Sequence, residues 1–131
     1  MGKLSRGKPI QGLDVTGISE EYPVEQEEIL MLSEHFQTVA FLAKSLSDEN
    51  RLRIILCVSS GKKSVSSIVE ALGLSQPLVS HHLKELKRSL LVKIERNGPF
   101  IYYELVDDRI LDVVKTLSTV ATDLLTARKT F

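Results

Sequence analysis

Polar side chains that can donate or accept hydrogen bonds are concentrated between residues 75 and 88. The apolar residues of this segment, Val79, Leu83 and Leu86, have the spacing of one helical face, so the opposite face is expected to be exposed. A helix fits the major groove of DNA, where glutamine can pair with adenine and lysine or arginine can hold guanine or phosphate. We therefore predict DNA contacts from the polar face and its first turn, at Ser75, Gln76, Pro77, Ser80, His81, Lys84 and Arg88.

A second set of candidate contacts follows in a segment with the pattern of a β-hairpin. From residue 92 the chain alternates between apolar and charged side chains as far as Arg96. Asn97-Gly98 then offers a turn, and residues 100–106 are rich in aromatic and β-branched side chains. The tip of such a hairpin can reach a neighbouring groove or the DNA backbone. Arg96 and Asn97 are accordingly predicted to contact DNA.

Helical periodicity surrounds these candidates on both sides. It predicts a long first helix over 24–46, a second helix capped at 47–49 and stopped by Gly61, a third capped by Ser64 and ended by Gly73, and a long last helix over 108–127. Only Gly73-Leu74-Ser75 separates the third helix from the polar one, and two helices joined by a tight turn with glycine indicate a helix-turn-helix. The sequence therefore predicts a mainly α (α+β) fold, a winged helix-turn-helix in the order α-α-α-α-β-β-α.

The chain is short, and its charge is unevenly distributed. It has 131 residues, enough for one compact domain with short extensions, and its 17 Lys and Arg balance its 17 Asp and Glu. Residues 44–103 hold ten cationic and five anionic side chains, whereas residues 1–34 hold three and seven. The positive surplus coincides with the predicted helix-turn-helix and hairpin, as expected for a phosphate-binding surface. Residues 1–22 are predicted to be a flexible N-terminal arm, and residues 23–131 the folded domain.

Several classes of protein are excluded by the residue types. Cys57 is the only cysteine and cannot form an internal disulfide, and the longest apolar runs have five residues, against the ~20 that span a membrane. We expect a cytoplasmic protein without membrane contacts. The sequence has no Gly-rich phosphate loop and no Ser-His-Asp or metal-ligand pattern at a suitable spacing. The chain is therefore not expected to be an enzyme, and no catalytic residue, bound metal or cofactor is predicted.

Three blocks of the sequence together resemble the ArsR/SmtB family of dimeric winged-helix repressors. They are residues 46–56 (LSDENRLRIIL), 71–86 (ALGLSQPLVSHHLKEL) and 96–105 (RNGPFIYYEL), within a similarity over roughly residues 36–118. The resemblance implies a homodimer, held by the first and last helices, that binds a palindromic operator in double-stranded DNA and leaves it when an inducer binds. It places the family's base-reading and wing contacts at positions predicted above, Gln76, Ser80, His81 and Lys84 for the first and Arg96 and Asn97 for the second.

The residues that relatives of this family use to sense metals are missing here. Arsenic- and cadmium-sensing relatives carry a Cys-x-Cys pair at the start of the third helix, where this chain has Ser64 and Ser66. Serine hydroxyls are poor ligands for soft ions. Zinc-sensing relatives use a histidine of the last helix, and residues 107–131 contain none.

Three further residues could carry chemistry. Cys57 is expected to pack as a small hydrophobic side chain, and His82, next to the buried row, to pack or cap. His35 is expected to be solvated or hydrogen-bonded, with a weak interfacial metal site or a pH switch as the alternative.

The combined interpretation is a sequence-specific DNA-binding transcriptional regulator, a homodimeric repressor with an unidentified inducer. Phosphate contacts are expected from six further cations, Arg51, Arg53, Lys62, Lys63, Lys87 and Lys93. Two alternatives stay open. One is a winged-helix module that binds another protein through its long terminal helices instead of DNA, and the other is a metal sensor with a relocated site.

Overall fold

The computed structural model describes residues 23–128, which form six helices and one antiparallel pair of strands. Their bounds are α1 (Pro23–Ser33), α2 (Phe36–Ser45), α3 (Glu49–Ser59), α4 (Val65–Leu72), α5 (Gln76–Arg88), β1 (Val92–Asn97), β2 (Phe100–Leu105) and α6 (Arg109–Arg128). Internal packing divides the chain after Ala40, so residues 23–40 and 41–128 belong to separate units. The predicted arm, residues 1–22, lies outside the described residues.

The predicted first helix is present as two helices, which corrects the expectation of one continuous helix over 24–46. The helical hydrogen-bond ladder is interrupted at His35, whose N–H donates to the Leu32 carbonyl oxygen at 3.0 Å, three residues back instead of four. The Ser33 hydroxyl donates to the Leu30 carbonyl oxygen at 2.7 Å. Serine side chains compete in this way with the backbone of a helix, so the break falls where the ladder has such a competitor.

The core of the second unit lies between α3, α4, α5 and the hairpin. Its apolar side chains are all buried, among them the predicted face of α5. They are Ile54, Ile55, Val58, Ile68, Val79, Leu83, Leu86, Leu91, Val92 and Leu105. Each fully buried aliphatic side chain contributes about 1.5–3 kcal/mol relative to exposure, so this cluster fixes the orientation of α5.

Side-chain caps set where the helices of this unit begin. At each start a side-chain oxygen accepts a hydrogen bond from the backbone N–H three residues later. The Asp48 carboxylate accepts from Arg51 at 3.0 Å, the Ser64 hydroxyl from Ser67 at 3.1 Å and the Ser75 hydroxyl from Leu78 at 3.3 Å. Gly73 ends α4 with a φ of 67°. The predicted turn between α4 and α5 is confirmed.

Two residues after the end of α5, an exposed leucine adopts the left-handed conformation. Leu90 has a φ of 65°, and its N–H donates to the Lys87 carbonyl oxygen at 3.0 Å. The Leu91 N–H donates to the Leu86 carbonyl oxygen at 2.9 Å. These two bonds form a Schellman motif, whose left-handed position is usually glycine. The motif leads the chain from α5 directly into β1.

The hairpin turn lies one residue later than predicted. Asn97 pairs with Phe100, so the two central residues are Gly98 and Pro99 instead of Asn97 and Gly98. Gly98 has a φ of 64°, and proline is restricted to a φ near −65°. A positive φ followed by a negative one is the pattern of a type II′ turn, which matches the twist of paired strands.

Helix α6 contacts the core near its start and exposes apolar side chains beyond it. Ile110, Leu111 and Val114 pack against the core, whereas Val113 and the later apolar positions, Leu117, Val120, Leu124 and Leu125, are exposed. The Asp107 carboxylate precedes the helix and accepts the Arg109 N–H at 2.9 Å. Its bonds to the Arg109 side chain lower the pKa of Asp107 to about 2. Across residues 23–128, no helix has the length and apolar character to cross a membrane.

Candidate nucleic-acid interface

One side of α5 is buried and the other is polar and exposed. The predicted contact residues Gln76, Pro77, Ser80, His81, Lys84 and Arg88 are all exposed, and so is Lys87. At about 100° per residue, these seven positions fall within an arc of about 140°. The buried side holds Val79, His82, Leu83 and Leu86. The helix therefore presents one continuous polar surface, and we call these seven residues the α5 polar face.

Most side chains of the α5 polar face are unengaged within the part of the chain that the structure describes. The polar groups of Gln76, Ser80, Lys84 and Lys87 form no side-chain hydrogen bond or ion pair there. Arg88 differs, because its Nη1 donates to both Glu85 carboxylate oxygens at 3.0 Å. Ser75, before the helix, accepts the Leu78 N–H as an N-cap, and its own hydroxyl hydrogen stays free to donate.

The hairpin, or wing, carries its two predicted contact residues at the tip. Arg96 and Asn97 are both exposed, and as consecutive strand residues they point to opposite faces of the hairpin. Phe100, which pairs with Asn97, is exposed beside them. The wing tip therefore offers a guanidinium, an amide and an aromatic ring.

One face of the wing is tied to the loop before α4. Lys62 Nζ lies 2.6 Å from Glu95 Oε2 and 5.7 Å from the centre of the Tyr102 ring. The hydrogen bond between Lys62 and Glu95 raises the pKa of the lysine and lowers that of the carboxyl. The positive charge of Lys62 is thus already paired with an acidic side chain.

Two arginines expected to contact phosphate also bind the C-terminal ends of helices. Arg51 Nε donates to the Ser45 carbonyl oxygen at 2.7 Å, and its Nη2 donates to that of Lys44 at 3.4 Å, at the end of α2. Arg53 Nη2 donates to the Leu72 carbonyl oxygen at 3.0 Å, at the end of α4. Cations satisfy the free carbonyls at helix C-termini in this way. Both side chains therefore also stabilise helix ends, a role that the sequence did not reveal.

His82 is the buried polar residue of α5. Its Nε2 lies 3.7 Å from Asp48 Oδ1, and its Nδ1 is buried without a hydrogen-bond partner. Burial lowers the pKa of His82, and the Asp48 carboxylate partly opposes this shift. The pKa of Asp48 is itself lowered, chiefly by the N–H of Arg51. The prediction that His82 packs in the fold is confirmed.

Residues considered for metal binding have other surroundings. Among residues 23–128, no three His, Cys, Asp or Glu side chains are grouped as a metal site. Ser64 caps α4, and Cys57 is half-buried against the core. His35 lies exposed in the turn between α1 and α2.

Comparison with known proteins gives matches to regulators and repressors of transcription. A family profile described as "Bacterial regulatory protein, arsR family" matches residues 48–93. The HTH-type transcriptional regulator MJ1325 of Methanocaldococcus jannaschii is 35% identical over 83 residues, 63% of this chain and 93% of that protein. The arsenical resistance operon repressor of Staphylococcus aureus is 30% identical over 87 residues, 66% of this chain and 84% of that protein.

Solved structures have the same architecture. The transcriptional repressor BigR from Xylella fastidiosa superposes with a TM-score of 0.62 at 30% identity, over 68% of this chain and 91% of that one. A homodimeric winged helix-turn-helix DNA-binding domain from Mycobacterium bovis also gives a TM-score of 0.62, at 26% identity, over 70% of this chain and 84% of that one.

Proposed function

Since this chain belongs to the arsR family of bacterial regulatory proteins, we propose that it is a homodimeric repressor of transcription whose α5 polar face binds the major groove of an operator. The observation that carries the proposal is the contrast between the two sides of α5. Val79, Leu83 and Leu86 are anchored in the core, and most of the polar residues opposite them, Arg88 excepted, have side chains that are unpaired within residues 23–128 and can bind bases and phosphates.

The polar residues divide by the contact that each can make. Gln76, Ser80, His81 and Lys84 are proposed to reach base edges and to supply specificity. Lys87 and Lys93 have no ion-pair partner among residues 23–128 and are proposed to bind phosphates. Arg96 and Asn97 are proposed to contact DNA from the wing, and Ser75, Pro77 and Arg88 to border the contact at the ends of α5.

Dimerisation is proposed through the exposed apolar positions of α1 and α6. Ile29, Leu30, Met31 and Leu32 are exposed in the first unit, and the late apolar residues of α6 in the second. Exposed apolar clusters of this kind are typical of protein interfaces. A two-fold dimer would place two α5 helices about 34 Å apart, one turn of DNA, and would favour a palindromic operator.

A salt-dependent binding assay tests the proposal. The full chain is titrated against a duplex from upstream of its own coding sequence and against a random duplex, by fluorescence anisotropy at several salt concentrations. We expect tighter binding to the first duplex and a steep loss of affinity with salt for both. Absence of binding to either duplex at low salt would reject the proposal and favour a protein-interaction module.

Matched variants separate readout from general charge. Ser80→Ala is expected to reduce discrimination between the two duplexes by about 1–3 kcal/mol, the usual value of one base contact. Lys84→Ala should weaken binding, and Lys115→Ala, which removes an exposed lysine of α6, should leave it nearly unchanged. Equal losses in the two lysine variants would show that net charge, and not the α5 polar face, governs binding.

A further inference from the structure

A cavity of about 320 Å³ lies against the C-terminal half of α5, within the second unit. Its wall includes Phe41 and Lys44 from α2, Arg51 from α3, and His81, Glu85 and Arg88 from α5. Its volume is at the small end of the range for small-molecule sites. Two of its residues, His81 and Arg88, also belong to the α5 polar face.

The charges around this cavity favour an anion. Its wall includes three cations, Lys44, Arg51 and Arg88, and a single carboxylate, that of Glu85. Each arginine is held in place but keeps donors to spare. Arg51 uses Nε and Nη2 for the carbonyls at the end of α2, and Arg88 uses only Nη1 for Glu85. A fixed guanidinium with free N–H groups is suited to a carboxylate, because little further ordering is needed on binding.

The aromatic residue in the cavity wall indicates what kind of molecule would carry this anionic group. Phe41 is 48% exposed, and its ring borders the same space as the three cations. An inorganic ion would pair with the cations and leave the ring uncovered. A planar apolar body attached to a carboxylate would cover the ring as well, and removing apolar area from water adds to the affinity. The lining therefore matches a small aromatic carboxylate.

We propose that this cavity is an effector site for a small aromatic carboxylate and that its occupation weakens DNA binding. The first part stands on the cavity alone, and the second rests on the proposed function. A bound carboxylate adds a second negative charge next to Arg88 and places a negative charge beside His81. Because both residues lie on the α5 polar face, the ligand repels DNA phosphates at close range, where screening by salt is weakest. Such coupling typically changes affinity by about 5- to 150-fold.

The site is tested first without DNA, by calorimetric titration of the full chain with benzoate. Benzamide, which has the same ring without the charge, is the control ligand. We expect benzoate to bind at least about tenfold more tightly than benzamide, the ratio expected for charge-assisted hydrogen bonds. Phe41→Ala and Lys44→Ala should each weaken benzoate binding about fivefold or more. Lys87→Ala, which removes a cation of α5 outside the cavity wall, should not.

Equal binding of benzoate and benzamide, or no benzoate binding at millimolar concentration, would overturn the site. An effect of Lys87→Ala as large as that of Lys44→Ala would do so too, because the anion would then respond to charge alone. The second part is tested by repeating the anisotropy assay with benzoate, where at least about fivefold weaker DNA binding is expected for the unmodified chain and less for Phe41→Ala. Unchanged DNA affinity with benzoate bound would overturn the coupling. Failure to bind any duplex would refute the proposed function, and the titration without DNA would still decide the site.

Discussion

Helices α5 and α6 carry apolar stripes that are equally easy to recognise in the sequence, yet the two stripes have different surroundings. In α5, Val79, Leu83 and Leu86 are at most 1% exposed. In α6, Leu117 is 53% exposed and Leu124 is 65% exposed. Apolar periodicity identifies the side of a helix that avoids water, but it does not identify what covers that side. The core covers the stripe of α5, and the stripe of α6 is left for the second copy proposed above.

The largest expected effect comes from comparing one truncation in each stripe. Leu83→Ala leaves a cavity in a packed core and should lower the free energy of unfolding by about 2–5 kcal/mol. Leu117→Ala should cost less, and its cost should depend on protein concentration because a dimer interface stabilises by mass action. Urea denaturation of both variants at two protein concentrations measures this. A large, concentration-independent cost for Leu117→Ala would mean that the chain itself covers the α6 stripe.

A charge placed in the α6 stripe sharpens the comparison. Leu117→Glu would bury an unpaired carboxylate in the proposed interface and should raise the dimer dissociation constant by about 100-fold, since such burial costs several kcal/mol. Lys115→Glu adds the same side chain on another side of the helix and should leave the dimer intact. Sedimentation velocity gives the assembly state, and circular dichroism reports whether each variant is folded. A dimer that survives Leu117→Glu would assign dimerisation to another surface.

The parts of the fold that were predicted correctly depend on local signals. Ser64 and Ser75 cap α4 and α5, and Gly73 takes the left-handed conformation between them, because these preferences belong to the residues themselves. The buried face of α5 followed from spacing alone. Local chemistry also explains the shifted hairpin turn. A turn centred on Asn97-Gly98 would need a backbone N–H from Pro99 to close it, and proline has none.

What the sequence could not give depends on residues far apart in the chain. Arg53 binds the Leu72 carbonyl oxygen, 19 positions away, and Lys62 pairs with Glu95, 33 positions away. Neither partner is visible in a residue pattern, so the sequence alone predicts only phosphate contacts for these two cations. The cavity beside α5 was missed for the same reason, since Phe41, Arg51 and Arg88 come from three different helices. The contact residues of the α5 polar face stay predictions until DNA binding is measured.

A smaller effect is expected at the end of α5, where the buried stripe passes into the wing. Leu90 holds a φ of 65° while its side chain is 73% exposed, so its side chain gains little from packing. A left-handed conformation costs a non-glycine residue about 1–2 kcal/mol, part of which glycine loses again through its freer unfolded chain. Leu90→Gly should therefore raise the free energy of unfolding by about 1 kcal/mol. Leu90→Ala, which keeps the backbone strain, is the control, and an equal gain there would assign the effect to the exposed side chain.

The smallest expected effect is the pH dependence of stability that comes from His82, the polar residue on the buried side of α5. The α6 stripe contains no such polar residue. Burial lowers the pKa of His82 in the folded protein, so the unfolded chain binds a proton more readily. The free energy of unfolding is then at its full value above the ordinary histidine pKa of about 6.5. It falls as the pH decreases through the lowered pKa of the folded state. The Asp48 carboxylate, 3.7 Å away, offsets part of the burial cost and keeps this loss small. Urea denaturation between pH 7.5 and pH 5 should show a shallower decline for His82→Gln than for His81→Gln, its exposed neighbour. Identical declines in the two variants would locate the acid sensitivity elsewhere, because His82 is the buried one of the two side chains.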